Sequence, residues 1–270
     1  MLNVMLWMSR MWLVVLVLMI LAAVMLVAMR SASPRANRGE EHVKGGVVFL
    51  PLPRLKGEVT VEEAIASRRS IRRYLEKPLT LDQLSQLLWA AQGITEVNRG
   101  FRAAPSAGAT YPLAVYVVVG EDGVGGLDPG VYRYDPHAHV LVLVRHGDHR
   151  AELASACLNQ PWVREAPVSI VITAVYERTT HRYGERGVRY VHIEVGHVGQ
   201  NIYLQATALG LGTVAVGAFE DERVHEVIGA AKDERPLYVM PVGVPQRTHR
   251  LALSDLEEYI TRHRKAYGEG

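Results

Sequence analysis

Within five positions, Arg68, Arg69, Ser70 and Arg72 place three guanidinium forks and a hydroxyl on one short piece of chain. A phosphate dianion suits that set, because planar bidentate charged donors and a neutral hydroxyl match its oxygens. Taken alone, SRRSIRRY reads equally as a solvated basic surface. Two further segments give it context. In APSAGATYPLAVYVVV, residues 104–119, prolines and small residues lead into an apolar run, so main-chain amides and carbonyls can approach a flat ring closely. In GLGTVAVGAF, residues 210–219, small residues join a helical pattern to an apolar one. Its G-x-G lacks the third glycine and following helix of a dinucleotide fingerprint.

Other combinations carry less. Glu194 and His197 lie three apart with His192 nearby, which invites a metal ion. On a helix, however, His192 and His197 point about 140° apart, so no metal is expected and EVGH reads as helix packing. Asp148, between His146 and His149, reads as the N-cap of a helix. Cys157 is the single cysteine, which excludes an internal disulfide and a dithiol redox pair. There is no P-loop, G-x-S-x-G or H-E-x-x-H, so kinase and hydrolase chemistries lose their footing. A net charge of +2 on 270 residues gives no basic footprint for nucleic acid.

The elements that must position these groups follow from spacing. Thr60 with Glu63 and Thr80 with Gln83 are capping-box pairs that open helices, to about Ser67 and to Gln92 before Gly93, on either side of the basic run. Residues 113–119 and 168–175 read as buried strands, and 131–135 with 140–144 as a hairpin around Pro136. The longest helix is expected over 190–209, followed by a strand over 213–219, a short helix near 221–230 and a strand over 237–244. Strands and helices mix without a regular βαβ cadence, which predicts an α+β fold with a mixed sheet.

The N-terminus is different material. Residues 11–29, MWLVVLVLMILAAVMLVAM, contain no charge and at about 1.5 Å per residue match a ~30 Å hydrocarbon layer. They read as an uncleaved membrane anchor, with a cleaved signal or a buried helix as alternatives. Arg30, Arg35, Arg38 and Lys44 follow the span against Arg10 before it, which predicts a cytoplasmic domain. The expected division is an anchor over 1–30, a tether over 31–46 and a folded domain over 47–270.

RRSIRRY, PSAGATYPL, RYGERGVRYVHIEVGHVGQNIYLQATALGLGT and MPVGVP, in that order, resemble the nitroreductase superfamily. The likeness is to the branch containing the SagB-type azoline dehydrogenases of thiazole/oxazole-modified peptide pathways, and covers about residues 58–246. It implies a homodimer with FMN at the subunit interface. It also implies phosphate contacts at Arg68, Ser70 and Arg72, with Arg69 near the ribityl chain or ring edge. Pro105, Ser106, Ala107 and Gly108 would cover the ring from the partner subunit. Val216, Gly217 and Ala218 would lie against it, and Arg247, or else Arg250, would close the phosphate site.

The azoline-oxidising members carry Lys-Tyr-Gly where this chain has Arg182, Tyr183 and Gly184. Arginine keeps the charge but cannot accept a proton near neutral pH, whereas Tyr183 could donate one or orient a substrate. The expectation is therefore an FMN-dependent reductase that draws electrons from NADH or NADPH and passes them to a nitro, quinone or similar small acceptor. An oxygen-dependent azoline dehydrogenase and a non-catalytic flavin-binding module at the membrane are the alternatives.

Overall fold

The computed structural model describes residues 43–44 and 46–267. The apolar stretch 11–29 lies outside the described residues, and among those described no helix is long and apolar enough to cross a membrane.

Eight strands form one sheet: β1 (Val43–Lys44), β2 (Val47–Phe49), β5 (Leu113–Val119), β6 (Gly130–Asp135), β7 (Val140–His146), β8 (Val168–Ala174), β9 (Gly212–Thr213) and β10 (Arg235–Gly243). Their order is β1-β2-β7-β6-β5-β8-β10-β9. Every ladder between them is antiparallel. Parallel pairing enters through the single bridge of Ser70 to Thr213 at the sheet's edge, which makes the sheet mixed; a second parallel bridge, Leu79 to Val124, lies outside its strands. The first bridge carries the basic run onto the β9 edge. β3 (Ile94–Glu96) and β4 (Phe101–Arg102) form a separate small hairpin.

The strands of the middle are apolar along their whole length because both faces of the sheet are covered. Leu113, Val115, Val117 and Val119 of β5 face one layer, and Ala114, Tyr116 and Val118 the other, as the period of two requires. The first layer is α2 (Leu81–Gln92) and α6 (Arg186–Ala208), through Leu84, Leu87, Leu88, Val191, Val195, Val198 and Ile202. The second is α3 (Arg150–Ala156), α4 (Pro161–Glu165) and α7 (Asp221–Ile228), through Leu153, Val163, Val224 and Ile228. α1 (Val61–Ser67) and α5 (Glu177–Tyr183) flank α6, and α8 (Leu253–Arg264) buries none of its residues.

Both capping boxes are present: the Thr60 and Thr80 hydroxyls accept from Glu63 and Gln83 N–H, and the Glu63 and Gln83 side chains accept in return. The hairpin around Pro136 and the two buried strands lie where the pattern puts them. Three expectations need correction. The strand expected over 213–219 shrinks to Gly212–Thr213 and one bridge, Val216 to Val239, because Gly217 and Ala218 leave the sheet and are exposed. Val43 and Lys44, assigned by sequence to the tether, pair with Val48 and Val47 and so belong to the sheet. Asp148 sits one residue before the N-cap of α3, which is His149; its carboxylate still accepts from Arg150 N–H at 3.0 Å.

Candidate functional site

The basic run is extended, so its side chains alternate. Arg68 caps α1 and lays its guanidinium over the Tyr203 ring, 5.1 Å from the centroid. Ser70 Oγ shares a 3.1 Å hydrogen bond with the Tyr203 hydroxyl, and Arg72 lies over the Trp162 ring at 5.4 Å. Arg69 turns to the other side, where its Nη2 meets His249 Nε2 at 2.6 Å. There Arg69, Arg247, His249 and Arg250 line a cleft of about 530 Å³, with Glu58 and Glu63 on its wall. The structure thus groups Arg68, Ser70 and Arg72 and separates them from Arg69 and Arg247, a division that the pattern of charges alone does not reveal.

Tyr203, on α6, is the joint of this half. Its hydroxyl accepts from Ala215 N–H at 2.8 Å while bonded to Ser70, so one oxygen ties the basic run to the segment 215–218. Val216 pairs with Val239 in both directions, and the Ala218 carbonyl accepts from Gln160 Nε2 at 2.9 Å. Gly217 is exposed and its amide has no partner among the described residues. The only neighbour that a Cβ there would meet is the Tyr238 ring, at 4.0 Å, so an open backbone edge faces outward. Guanidiniums with a hydroxyl, a free amide edge and the Trp162 ring fit the phosphate and flat ring of a flavin nucleotide.

The second half is the segment 105–111, whose backbone is held in an unusual shape. Gly108, Ala109 and Tyr111 have φ of +62°, +53° and +44°, a region disfavoured for residues with a Cβ. Such conformations persist where the surroundings over-determine them. The ties are specific: Ser106 Oγ accepts from Tyr111 N–H at 2.9 Å, Thr110 and Thr179 hydroxyls bond at 2.8 Å, and Arg178 donates to the Tyr111 carbonyl at 3.3 Å. Arg182 donates to the Gly108 carbonyl at 3.3 Å. A Cβ on Gly108 would stand 2.5 Å from the Tyr183 hydroxyl and 2.8 Å from Arg182 Nη1. The structure therefore brings Arg182 and Tyr183 directly onto Gly108, and Tyr183 meets Tyr190 edge to face at 5.2 Å.

Beneath Ser106 lies Glu194, only 3% exposed. Burial pushes its carboxyl up to about 7, against the opposing influence of Ser106, Arg102 and Gln92 beside it. EVGH is thus divided: Glu194 points into the fold and His197 to solvent, while His192 bonds the Tyr176 hydroxyl at 2.6 Å. No metal-binding group of three or more His, Cys, Asp or Glu occurs among the described residues. Tyr203, Trp162, His249 and the Glu194 surroundings escape sequence reasoning, since each is one aromatic or polar residue on an otherwise ordinary element.

The two halves meet α6 at different places. Glu194 and Tyr203 are nine residues apart, which is about 13 Å along the axis and about half a turn out of phase. The segment 105–108 and the Arg68–Ser70 side consequently lie on opposite flanks of one helix.

The chain is an α+β sandwich in which a basic, hydroxyl-bearing run and a small-residue segment both pack against α6. Residues 65–244 match the Nitroreductase family, and the chain belongs to that family. A nitroreductase homologue from Methanocaldococcus jannaschii is 49% identical over 199 residues, 74% of this chain and 98% of its own length. The trifolitoxin operon protein TfxC of Rhizobium leguminosarum bv. trifolii is 26% identical across 78% of this chain and 63% of its own, a likeness consistent with the SagB-type branch. A nitroreductase homologue of Ralstonia eutropha has a solved structure with a TM-score of 0.65 and 30% identity, covering 76% of this chain and 93% of that one. NADPH:FMN oxidoreductase of Vibrio harveyi shares the fold at 21% identity and a TM-score of 0.50, over 77% of this chain and 85% of that one.

Proposed function

We propose that two copies of this chain form an FMN-dependent oxidoreductase that takes electrons from NADH or NADPH and passes them to a nitro, quinone or similar small acceptor. The carrying observation is the half-turn between the two halves on α6. That separation supports a second copy offering its 105–108 segment to the first copy's Arg68, Ser70 and Arg72. FMN, when bound, supplies the hydride and electron chemistry. The protein's part is to hold and shield it. Arg68, Ser70 and Arg72 neutralise the phosphate, the free Gly217 amide presents a donor to the ring edge, and Gly108 lets the backbone come close. Arg182 and Tyr183 stand at the mouth beside Gly108, where a positive charge and a phenol can orient an acceptor.

Dehydrogenation of a peptide azoline or small heterocycle with oxygen as acceptor is the second reading. It is favoured by the likeness to the trifolitoxin operon protein and by the Tyr183 hydroxyl against Gly108. Residues 11–29 are proposed to anchor the enzyme to a membrane with its domain in the cytoplasm.

The test is a visible spectrum of the full chain in mild detergent with FMN, before and after anaerobic addition of NADH or NADPH. Bound flavin that bleaches supports the reductase. Flavin that bleaches only with an azoline substrate supports the second reading, flavin that never bleaches points to a binding module, and a chain that takes up no flavin sinks all three.

A further inference from the structure

Under the segment 105–111 is a buried polar cluster for which the reaction just proposed has no use. Glu194 enters it from α6, Gln92 from the end of α2, Arg102 from β4 and Ser106 from the segment itself. Glu194 and Gln92 are 3% and 1% exposed. Three atoms there are buried without a hydrogen-bond partner: Gln92 Nε2, Arg102 Nε and Glu194 Oε1. Buried polar atoms are rarely left so, and three around one carboxyl mark a place where charge and hydrogen bonding are unsettled.

The cluster holds Tyr111 from two sides. Ser106 Oγ accepts from its N–H, while Arg102 lies over its ring at 4.6 Å and donates its own main-chain N–H to the hydroxyl at 3.2 Å. Arg102 also spends its Nη1 on Gln92 Oε1 at 3.0 Å. Arg178 of α5 and Tyr134 of β6 are the other ionisable groups that act on Arg102, and burial pushes that guanidinium down. With Arg102 turned to Gln92, the arrangement suits an uncharged carboxyl at Glu194. An ionised one, beside Ser106 and Gln92, would also draw on the unpartnered Arg102 Nε and pull the guanidinium off the Tyr111 ring, and Tyr111, at a φ of +44°, is then free to relax.

We propose that Glu194 is the positioning residue of the covering segment: uncharged, it leaves Ser106 and Arg102 holding Tyr111 in place, and ionised, it draws Arg102 away and loosens the segment over FMN. This rests on the reading of 105–108 as the cover of the flavin. FMN affinity then falls as pH rises through neutrality. If the carboxyl titrates one pH unit apart in the two shapes of the segment, the change in affinity is about tenfold.

The experiment is FMN titration of the full chain, followed by visible absorbance, at pH 6 and pH 8.5, with Glu194→Gln and Ser70→Ala alongside the wild type. Expected are a loss of about tenfold in wild-type affinity with rising pH and a flat, tight response in Glu194→Gln. Ser70→Ala is expected to be weaker at both pH values with the pH dependence intact. A Glu194→Gln response that follows the wild type, or a wild type with no pH dependence, overturns the proposal. Failure of every form to bind FMN would instead remove the cofactor reading. Arg102→Gln serves if Glu194→Gln does not fold, because it removes the group drawn away and must flatten the response in the same manner. Amide exchange at 106–111 in the wild type, corrected for intrinsic rate, must quicken above neutrality; an unchanged corrected rate counts against the proposal.

Discussion

Tyr203→Phe removes one oxygen and is expected to damage both stability and cofactor binding. That hydroxyl accepts from Ala215 N–H at 2.8 Å and bonds Ser70 Oγ at 3.1 Å. Without it, a half-buried amide loses its partner, which costs about 1–2 kcal/mol. For a domain of this size each kcal/mol lowers Tm by about 2–4 °C, so a fall of about 2–8 °C is expected in thermal denaturation followed by circular dichroism. Ser70→Ala is the control, since it leaves the bond between Tyr203 and Ala215 intact; its fall should stay under about 2 °C. Added FMN should raise Tm of the wild type and raise it less in both variants, because binding to the folded state alone stabilises by mass action. The reasoning is refuted if Tyr203→Phe melts with the wild type, or if Ser70→Ala is the less stable of the two.

Three further outcomes follow from the same coordinates. Glu234, 1% exposed, accepts from Thr173 Oγ1 at 2.7 Å and Arg133 Nη2 at 3.1 Å, so Glu234→Ala should cost about 1–3 kcal/mol in urea unfolding, mainly by leaving the buried Thr173 hydroxyl unpaired, since Arg133 keeps water. Gly108→Ala places a methyl against the Tyr183 hydroxyl at a φ of +62°, and should weaken FMN retention measured by gel filtration and also lower Tm of the FMN-free protein by about 2–8 °C, since a left-handed residue with a Cβ costs about 1–2 kcal/mol. His139 is held by Ser85, Tyr134 and Pro51, and burial pushes its imidazole below the usual 6.5. A depressed base is neutral in the fold and takes up protons on unfolding, so its contribution is intact above that value and lost as pH falls below it. Tm should therefore drop from pH 7 to pH 5, and His139→Gln should shrink the drop.

Much of the scaffold was legible because it rests on local rules. Capping boxes at Thr60 and Thr80 and the period-two runs of β5 and β8 declare themselves within a few residues. The segment after α6 did not, because Val214 and Val216 are buried like strand residues while Gly217 and Ala218 are too small and neutral in pattern to show that the chain turns outward. At the site, RRSIRRY offered guanidiniums and a hydroxyl but not their alternation: the bridge from Ser70 to Thr213 holds the run extended and Arg69 turns to the opposite side. The importance of Glu194 depends on Gln92, Arg102 and Ser106, and that of Tyr203 on Ser70 as well as on Ala215, contacts that no local pattern encodes.

The half-turn between Glu194 and Tyr203 has a genetic consequence. In a pair of copies that exchange covering segments, each flavin would draw its phosphate contacts from one polypeptide and its lid from the other. A chain crippled at Arg68 and Ser70 and a chain crippled at Gly108 would each be inactive as a pure dimer. Mixed together, they would assemble one doubly damaged pocket and one intact pocket, restoring up to half of the activity in the mixed species. Dilution would release flavin as the pairs separate, so cofactor occupancy would report subunit exchange.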